Sequence, residues 1–448
     1  MSNILESCFN TSHLDHLSED VTRDGAVYRI IHIYAKAPDY EIVPDSEEGT
    51  ACVDDVARAA VVYLRHFEMT GDEESRAKAE ALLRFVMYMQ TPEGLFYNFV
   101  LNNKLVINTT HHRSRAEGFE WWAARAVWAL GTAARVLKDA APRVAADCAR
   151  CVRRALPHIE QFLAHYPDTS EYLGRTIPKW LVHEDGADVT SELLLGLVPL
   201  NQAEPDPKLQ TMIMRFAEGL ALMRYGSMST FPYGLHASNR REWHKWGNSQ
   251  TQALAEAGMV TSAKLEAEHF YPRLLVEGLL KSIVFDDLHA IQYFERIAYG
   301  LRAVAVGLIR LYEATGDVRY AKMAGLAASW LTGNNRVGEP MYDPATGRCF
   351  DGLEDGNVIN RNSGAESTIE ALYTILEIEQ HPEARRWLFA RGLEPTRASR
   401  DGNEYFYRIF EVRTDGTIQR IAVIMNLSLE KLDILEGQAL TDWLAEEV

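Results

Sequence analysis

The side chains in this sequence that could carry out chemistry are bunched rather than scattered. Asp54 and Asp55 follow DSEEGTACV, and NTTHHRSRAEGFEWW brings together His111, His112, Arg113, Arg115, Glu117, Glu120, Trp121 and Trp122. IPKWLVHEDGADVTSE carries Trp180, His183, Glu184, Asp185, Asp188 and Glu192; FPYGLHASNRREWHKWGNSQ carries Tyr233, His236, Arg240, Trp243, His244, Trp246 and Asn248. FDDLHAIQYFERIAYG adds Asp286, Asp287, His289, Tyr293, Glu295 and Arg296, and YDPATGRCFDGLEDGNVINRNSGAES adds Asp351, Glu354, Asp355, Asn360, Arg361, Asn362 and Glu366. Acids, tryptophans and tyrosines dominate. Flat aromatic faces stack on the C–H faces of sugar rings, while carboxylates and amides bind hydroxyls. Glycosidic cleavage needs two carboxyl groups, one protonated and one ionised. Neighbouring acids and apolar tryptophans are what hold one of them neutral.

The expected catalytic carboxyls are Asp54, Asp55, Asp185, Asp188 and Glu366, with Asp185 or Asp188 as acid and Asp54, Asp55 or Glu366 activating water. The expected substrate contacts are His112, Glu120, Trp122, Glu184, Trp243, His244, Trp246, Asn248, Arg361 and Asn362. Each has a plainer reading. Asp54, Asp55 and Asp188 suit a helix N-terminus, Ser363-Gly-Ala-Glu366 fits a capping box, and one of the paired Trp121 and Trp122 must face a core. No H-x-x-x-H pair falls on one helix face, and Cys148 and Cys151 stand in a helical stretch without further ligands at matching spacing. Neither a metal nor a cofactor is expected.

The elements that position these groups repeat. LRHFEMTGD at 64–72 and IRLYEATGD at 309–317 each end an apolar helical pattern, turn at Thr-Gly-Asp and start a second helix. Glycine stops the first helix and aspartate caps the next. The first helix of each pair is apolar on nearly all sides, as in VARAAVVYLRHF, and must be buried; the second carries charge on one face and covers it. Further helices of the first kind start near 118, 187, 247 and 363, and with those near 54 and 295 they make six. The predicted fold is all-α, an (α/α)6 toroid over residues 1–395 with an extended N-terminal arm over about 1–50. Residues 396–448 form a small appendage with a β-hairpin, since NEYFYRIFEVRTDGTIQRIAVIMNL flanks Thr414-Asp415-Gly416 with β-branched and aromatic runs. In a closed ring the six helix starts share one end, with its unpaired N–H groups and positive dipole ends.

The 448 residues are 47% hydrophobic and 24% charged, with a net charge of −17. That is globular, and ill suited to nucleic acid or an anionic membrane surface. The first twenty residues lack a basic-then-apolar leader, no apolar run reaches a membrane span, and the five cysteines are odd in number and scattered. A cytoplasmic location is the expectation.

CVDDVARAAVVYLRHFEMTGD, WHKWGNSQTQALAEAG and NRNSGAESTIEALYTIL, with the six helix starts, resemble the six-hairpin glycosidase superfamily over roughly residues 50–395. The resemblance implies catalytic acids at the N-terminal end of the inner helices: Asp54 or Asp55, the Glu184, Asp185 and Asp188 cluster, and Glu366. The expected function is hydrolysis of a short oligosaccharide, with inversion. Three alternatives stand beside it. One is an epimerase or isomerase using His111, His112, His183 or His244. Another is a uronic-acid hydrolase or lyase gripping its substrate with Arg113, Arg115, Arg240 or Arg361. The third is a non-catalytic carbohydrate-binding ring. The partner in every case is a small carbohydrate.

Overall fold

The computed structural model describes residues 7–286, 291–414 and 416–445. Six inner helices run Val53–Thr70, Trp121–Val136, Ala187–Ala203, Gln250–Glu256, Leu301–Thr315 and Ala365–Glu379. Each is followed by an outer partner: Glu73–Tyr88, Pro142–Glu160, Pro207–Leu222, Val260–His269, Val318–Ala328 and the short Pro382–Arg385. Every inner helix packs on the next, and the sixth packs back on the first, so the inner set closes into a ring. Apolar residues all round the inner helices make this arrangement necessary, because each has neighbours on both flanks and an outer helix behind it. In the third, every residue from Ala187 to Leu200 is buried.

The two Thr-Gly-Asp turns do what their residues dictate. Gly71 and Gly316 both take φ +72° and donate their N–H to Phe67 and Tyr312, and the carboxylates of Asp72 and Asp317 cap the following helices. Inner helices two and three approach at a pair of glycines. A Cβ on Gly131 would lie 2.0 Å from the Gly196 carbonyl oxygen, and one on Gly196 would lie 2.2 Å from that of Val127.

The fourth inner helix, only seven residues long, starts at Gln250, close to the expected 247. Two expectations need correcting. The fifth inner helix starts at Leu301 rather than near 295, because Arg296–Ile297 is drawn into an antiparallel ladder with Gly352–Glu354. The chain also holds more strand than an all-α reading allows. Short ladders lace the segments before the helix starts, and Ser18–Arg23 pairs with Ala26–Ile31 in the N-terminal arm. At the C-terminus Asn403–Thr414 and Thr417–Asn426 pair as two strands of a five-stranded antiparallel sheet, which Arg391–Gly392, Thr396–Arg400 and Lys431–Glu436 complete. Its side chains alternate with the pleat. Phe406, Phe410, Ile421, Val423 and Met425 join the core of the ring, whereas Tyr407, Ala422 and Ile424 face the helix Gly437–Ala445. Among the described residues no helix is long and apolar enough to cross a membrane. All five cysteines are unbridged and buried, and burial pushes the Cys148 and Cys151 thiols up, away from the reactive thiolate.

Candidate active site

All six inner-helix starts, or the residues just before them, open into one cavity of about 940 Å³. Asp54 and Asp55 come from the first, Glu120, Trp121 and Trp122 from the second, and Asp188 from the third. His244 and Trp246 precede the fourth, Ile297 and Tyr299 precede the fifth, and Glu366 and Ser367 open the sixth.

One turn below the rim lies a charged floor. Arg58, Arg125 and Arg302, three of the most deeply buried cations, face five carboxylates: Asp54, Asp55, Glu192, Glu366 and Glu370. Arg58 donates to Asp55 at 2.8 Å, Glu370 at 3.0 Å and Glu366 at 3.1 Å. Arg125 contacts Asp54 at 2.5 Å, Glu192 at 2.6 Å and the Tyr299 hydroxyl. Arg302 closes the circuit, reaching Glu370 at 2.7 Å, Glu192 at 2.9 Å and the Ser249 hydroxyl at 2.8 Å. The Tyr299 ring lies between two guanidinium groups, 4.9 Å from Arg58 and 5.5 Å from Arg125. Charges so placed are tolerated only because each has opposite partners.

Five carboxylates against three guanidinium groups leave an excess of negative charge, which favours holding a proton. Glu370 is not the group that holds it: burial alone would raise it, but Arg302 and Arg58 outweigh burial and hold it low. Asp55 is raised, by burial first and by neighbouring Asp54, against the pull of Arg58. Glu366 is raised to about 7: burial pushes it up, Arg58 and Arg125 oppose, and the negative charges of Asp55 and Asp54 add to the rise. Its side chain is also 45% open to the cavity. A carboxyl that is accessible, half protonated near neutrality and set beside other carboxyls is equipped for general acid or base work.

On the wall, Asp188 and His244 form a second polar pair. His244 Nε2 stands 2.9 Å from Asp188 and Nδ1 2.9 Å from the Trp246 carbonyl, so a proton on either nitrogen has an acceptor. The imidazole stacks on the Trp246 ring at 4.3 Å and 9°. Glu120 meets His183 at 3.4 Å; the shared hydrogen bond lowers the carboxyl and raises the imidazole. Arg113 pairs with Glu48 at the mouth.

Of the residues expected from sequence, Asp54, Asp55, Asp188, Glu366, Glu120, Trp122, His244 and Trp246 line the cavity. Within that set Asp55 is 3% exposed and Trp122 is 7% exposed, with the Trp122 indole N–H given to the Phe96 carbonyl. Asp55 and Glu366 also share one Arg58 nitrogen, so their carboxyl oxygens lie closer together than the roughly 6.5–9.5 Å of inverting pairs. Seven others are not brought there. Asp185 is consumed by Arg240, which donates backbone N–H and Nε at 2.8 Å each. Glu184 projects to bulk water with its side chain 70% exposed, held loosely by Arg240. His112 is exposed and leans on His111. Trp243 is a core residue, edge-on to Phe270 at 4.9 Å. Asn248 is buried, donating to the His236 carbonyl and accepting from Gln250. Arg361 pairs with Glu339 on the surface, and Asn362 accepts the Ala37 N–H. Asp287 and His289 lie outside the described residues.

The floor arginines and Glu370 were missed as functional groups, although their signal is in the sequence: single charges one turn into otherwise apolar helices. Among the described residues the three side chains best grouped for a cation are Glu313, Glu377 and His381, at the opposite end of the ring. There Glu377 is engaged by Arg65 and Arg310, and His381 by Glu313, so their donor atoms are already committed.

No protein-family model and no curated protein matches the sequence. Solved structures do match in fold. Cellobiose 2-epimerase from Bacillus thermoamylovorans B4167 is 13% identical with TM-score 0.58, over 82% of this chain and 95% of that one. Cellobiose 2-epimerase from Spirochaeta thermophila DSM 6192 is 12% identical with TM-score 0.55, over 78% and 90%. A D-mannose isomerase is 12% identical with TM-score 0.53, over 78% and 91%. The likeness is one of fold alone: these neighbours are (α/α)6 barrels, the ring that the helix starts imply.

Proposed function

We propose that this protein is a carbohydrate enzyme that cleaves a glycosidic bond in the cavity at the inner-helix N-termini, with Glu366 as general acid and Asp54 as general base. The observation that carries the reading is Glu366 itself, raised to about 7 yet open to the cavity. Protonated Glu366 gives its proton to the leaving oxygen as the bond from that oxygen to the anomeric carbon breaks. Asp54, 27% exposed and held by Arg125, takes a proton from the water whose oxygen attacks that carbon. The two acids differ in environment as an acid and a base must. The negative charge of Asp54 adds a smaller contribution to the rise of Glu366, after burial and Asp55. Trp121 and Trp246 offer flat faces to sugar rings, and Glu120 offers a carboxylate to hydroxyls.

A second reading is epimerisation or isomerisation of a reducing sugar, in which His244 moves a proton next to a carbonyl. It is favoured by the Asp188–His244 pair on the cavity wall and by the epimerase and isomerase activities in the names of structures that share the fold. Proton NMR of the enzyme with a panel of oligosaccharides in deuterated water separates the two. Hydrolysis produces new reducing ends, first in the inverted anomer, whereas epimerisation puts solvent deuterium on a sugar carbon. Turnover of no member of the panel by folded protein would remove both.

A further inference from the structure

A second cavity, of about 660 Å³, lies on the seam between the ring and the C-terminal sheet. Its walls come from the helix Tyr271–Glu277, the outer helix Val318–Ala328, the segment after Arg391–Gly392 and the strand Asn403–Thr414. It is rich in cations that lack carboxylate partners. Arg296 is only 7% exposed; its Nε donates to the Tyr293 carbonyl at 3.1 Å, and its two terminal nitrogens have no acceptor among the described residues. Arg336, exposed at the mouth, makes no hydrogen bond or ion pair among the described residues, and both guanidinium groups flank one ring, Phe294, at 4.9 Å and 5.8 Å. Arg408 spends its donors on the carbonyls of Leu393, Gly392 and Leu275. Of the two carboxylates in the lining, Glu277 is paired with Arg273 at 2.7 Å, leaving Glu394 at the exposed edge.

Bringing three guanidinium groups together is costly when the one lining carboxylate acting on them is Glu394, whose charge reaches Arg408. Burial and the positive charges of Arg336 and Arg408 push Arg296 down to about 10. Behind it Lys245, 2% exposed, finds no partner for its side-chain nitrogen, and burial with the positive charges of Arg296 and Lys281 pushes it well down from the usual lysine value. The lining also includes the apolar side chains of Leu274, Leu279, Leu326 and Trp330. Trp330 leaves its indole N–H without an acceptor. The strand Arg296–Ile297 divides this space from the sugar cavity: Ile297 lines one and Arg296 the other, as successive residues of a strand must.

We propose that the seam cavity is a binding site for a small organic anion, a phosphate or carboxylate group held by Arg296 and Arg336 with an apolar body against Leu274 and Trp330. A planar two-oxygen anion matches the guanidinium fork, and a tetrahedral one offers more acceptors.

The test is calorimetric titration of the full chain with phenyl phosphate and, separately, benzoate, at chloride-matched ionic strength. Saturable binding of one or both is expected, and the stronger arm identifies the head group. Arg296→Gln and Arg336→Gln should each weaken it roughly ten- to hundredfold, the loss of a charged hydrogen-bonding partner. Arg336 is on the surface, so that variant folds even if the buried one does not. Glu366→Gln should bind as the parent does, which separates this site from the sugar cavity and lets either proposal fail alone. No binding of either probe up to about 10 mM, unchanged affinity in Arg336→Gln, or loss of binding in Glu366→Gln would overturn the proposal.

Discussion

Replacing Glu366 by glutamine removes one titrating group from the charged floor while keeping its shape, so it isolates that group's contribution to stability. In the folded protein Glu366 is raised from the ordinary glutamate value of 4.5 to about 7, chiefly by burial. A carboxyl raised on folding binds its proton more tightly in the native state. It therefore stabilises the fold below the unfolded value, and that stabilisation is lost as pH rises through the interval up to about 7. Because 45% of the side chain is open to water, screening reduces the effect, and about 1–2 kcal/mol is expected. The glutamine that replaces it cannot titrate. Urea unfolding of parent and variant at about pH 5 and about pH 8 should therefore show the parent losing about 1–2 kcal/mol relative to the variant across that interval. Subtracting the variant cancels every other titrating group that the substitution leaves alone. A difference that does not change with pH, or that grows in the parent's favour as pH rises, would refute the electrostatic account of the floor.

Four further outcomes follow from the same geometry. Arg58→Met strands Asp55, Glu366 and Glu370 together, and should cost about 3–5 kcal/mol by chemical denaturation. Trp246→Ala should weaken sugar binding by roughly tenfold with little change in unfolding midpoint, whereas Trp243→Ala should cost about 3–5 kcal/mol of stability through loss of core packing against Phe270. Gly131→Ala forces apart helices that touch at the Gly196 carbonyl, and should lower stability by about 1–3 kcal/mol or more, read as a drop in melting temperature. In the enzyme's pH profile kcat/KM should fall as pH rises through about 7, where Glu366 loses its acidic proton, and Glu366→Gln should abolish that limb.

Much of this architecture was legible in the sequence because its causes are local. Helices apolar on all sides require neighbours on all sides, and Thr-Gly-Asp turns require a reversal; together they predict paired helices around a buried set. The end of the ring that carries chemistry follows from where the acids and tryptophans cluster. Which of those acids matters does not follow, because it depends on partners far away in the chain. Asp185 and Glu184 look as reactive as Glu366 until Arg240 is seen holding both. Trp243 and Trp246, three residues apart, differ only in whether Phe270 or the cavity lies beyond. The floor was in principle readable. Arg58 in VARAAVVYL, Arg125 in WWAARAVWAL, Glu192 in TSELLLGLV, Arg302 in GLRAVAVGL and Glu370 in STIEALYTI are lone charges in apolar helices. Isolated buried charges are prohibitive, so they had to meet one another. The start of the fifth helix was misread because Arg296 and Ile297 pair with a strand more than fifty residues further on, which no local pattern reports.

The central claim is that Glu366 transfers a proton to a sugar bound above the charged floor, and a crystal structure of the Glu366→Gln variant soaked with a turned-over oligosaccharide tests it most directly. The account predicts the scissile oxygen within about 2.6–3.2 Å of the side-chain amide that replaces the Glu366 carboxyl, with a water between the anomeric carbon and Asp54. A sugar bound with its glycosidic oxygen far from that amide, or anchored outside this cavity altogether, would contradict it.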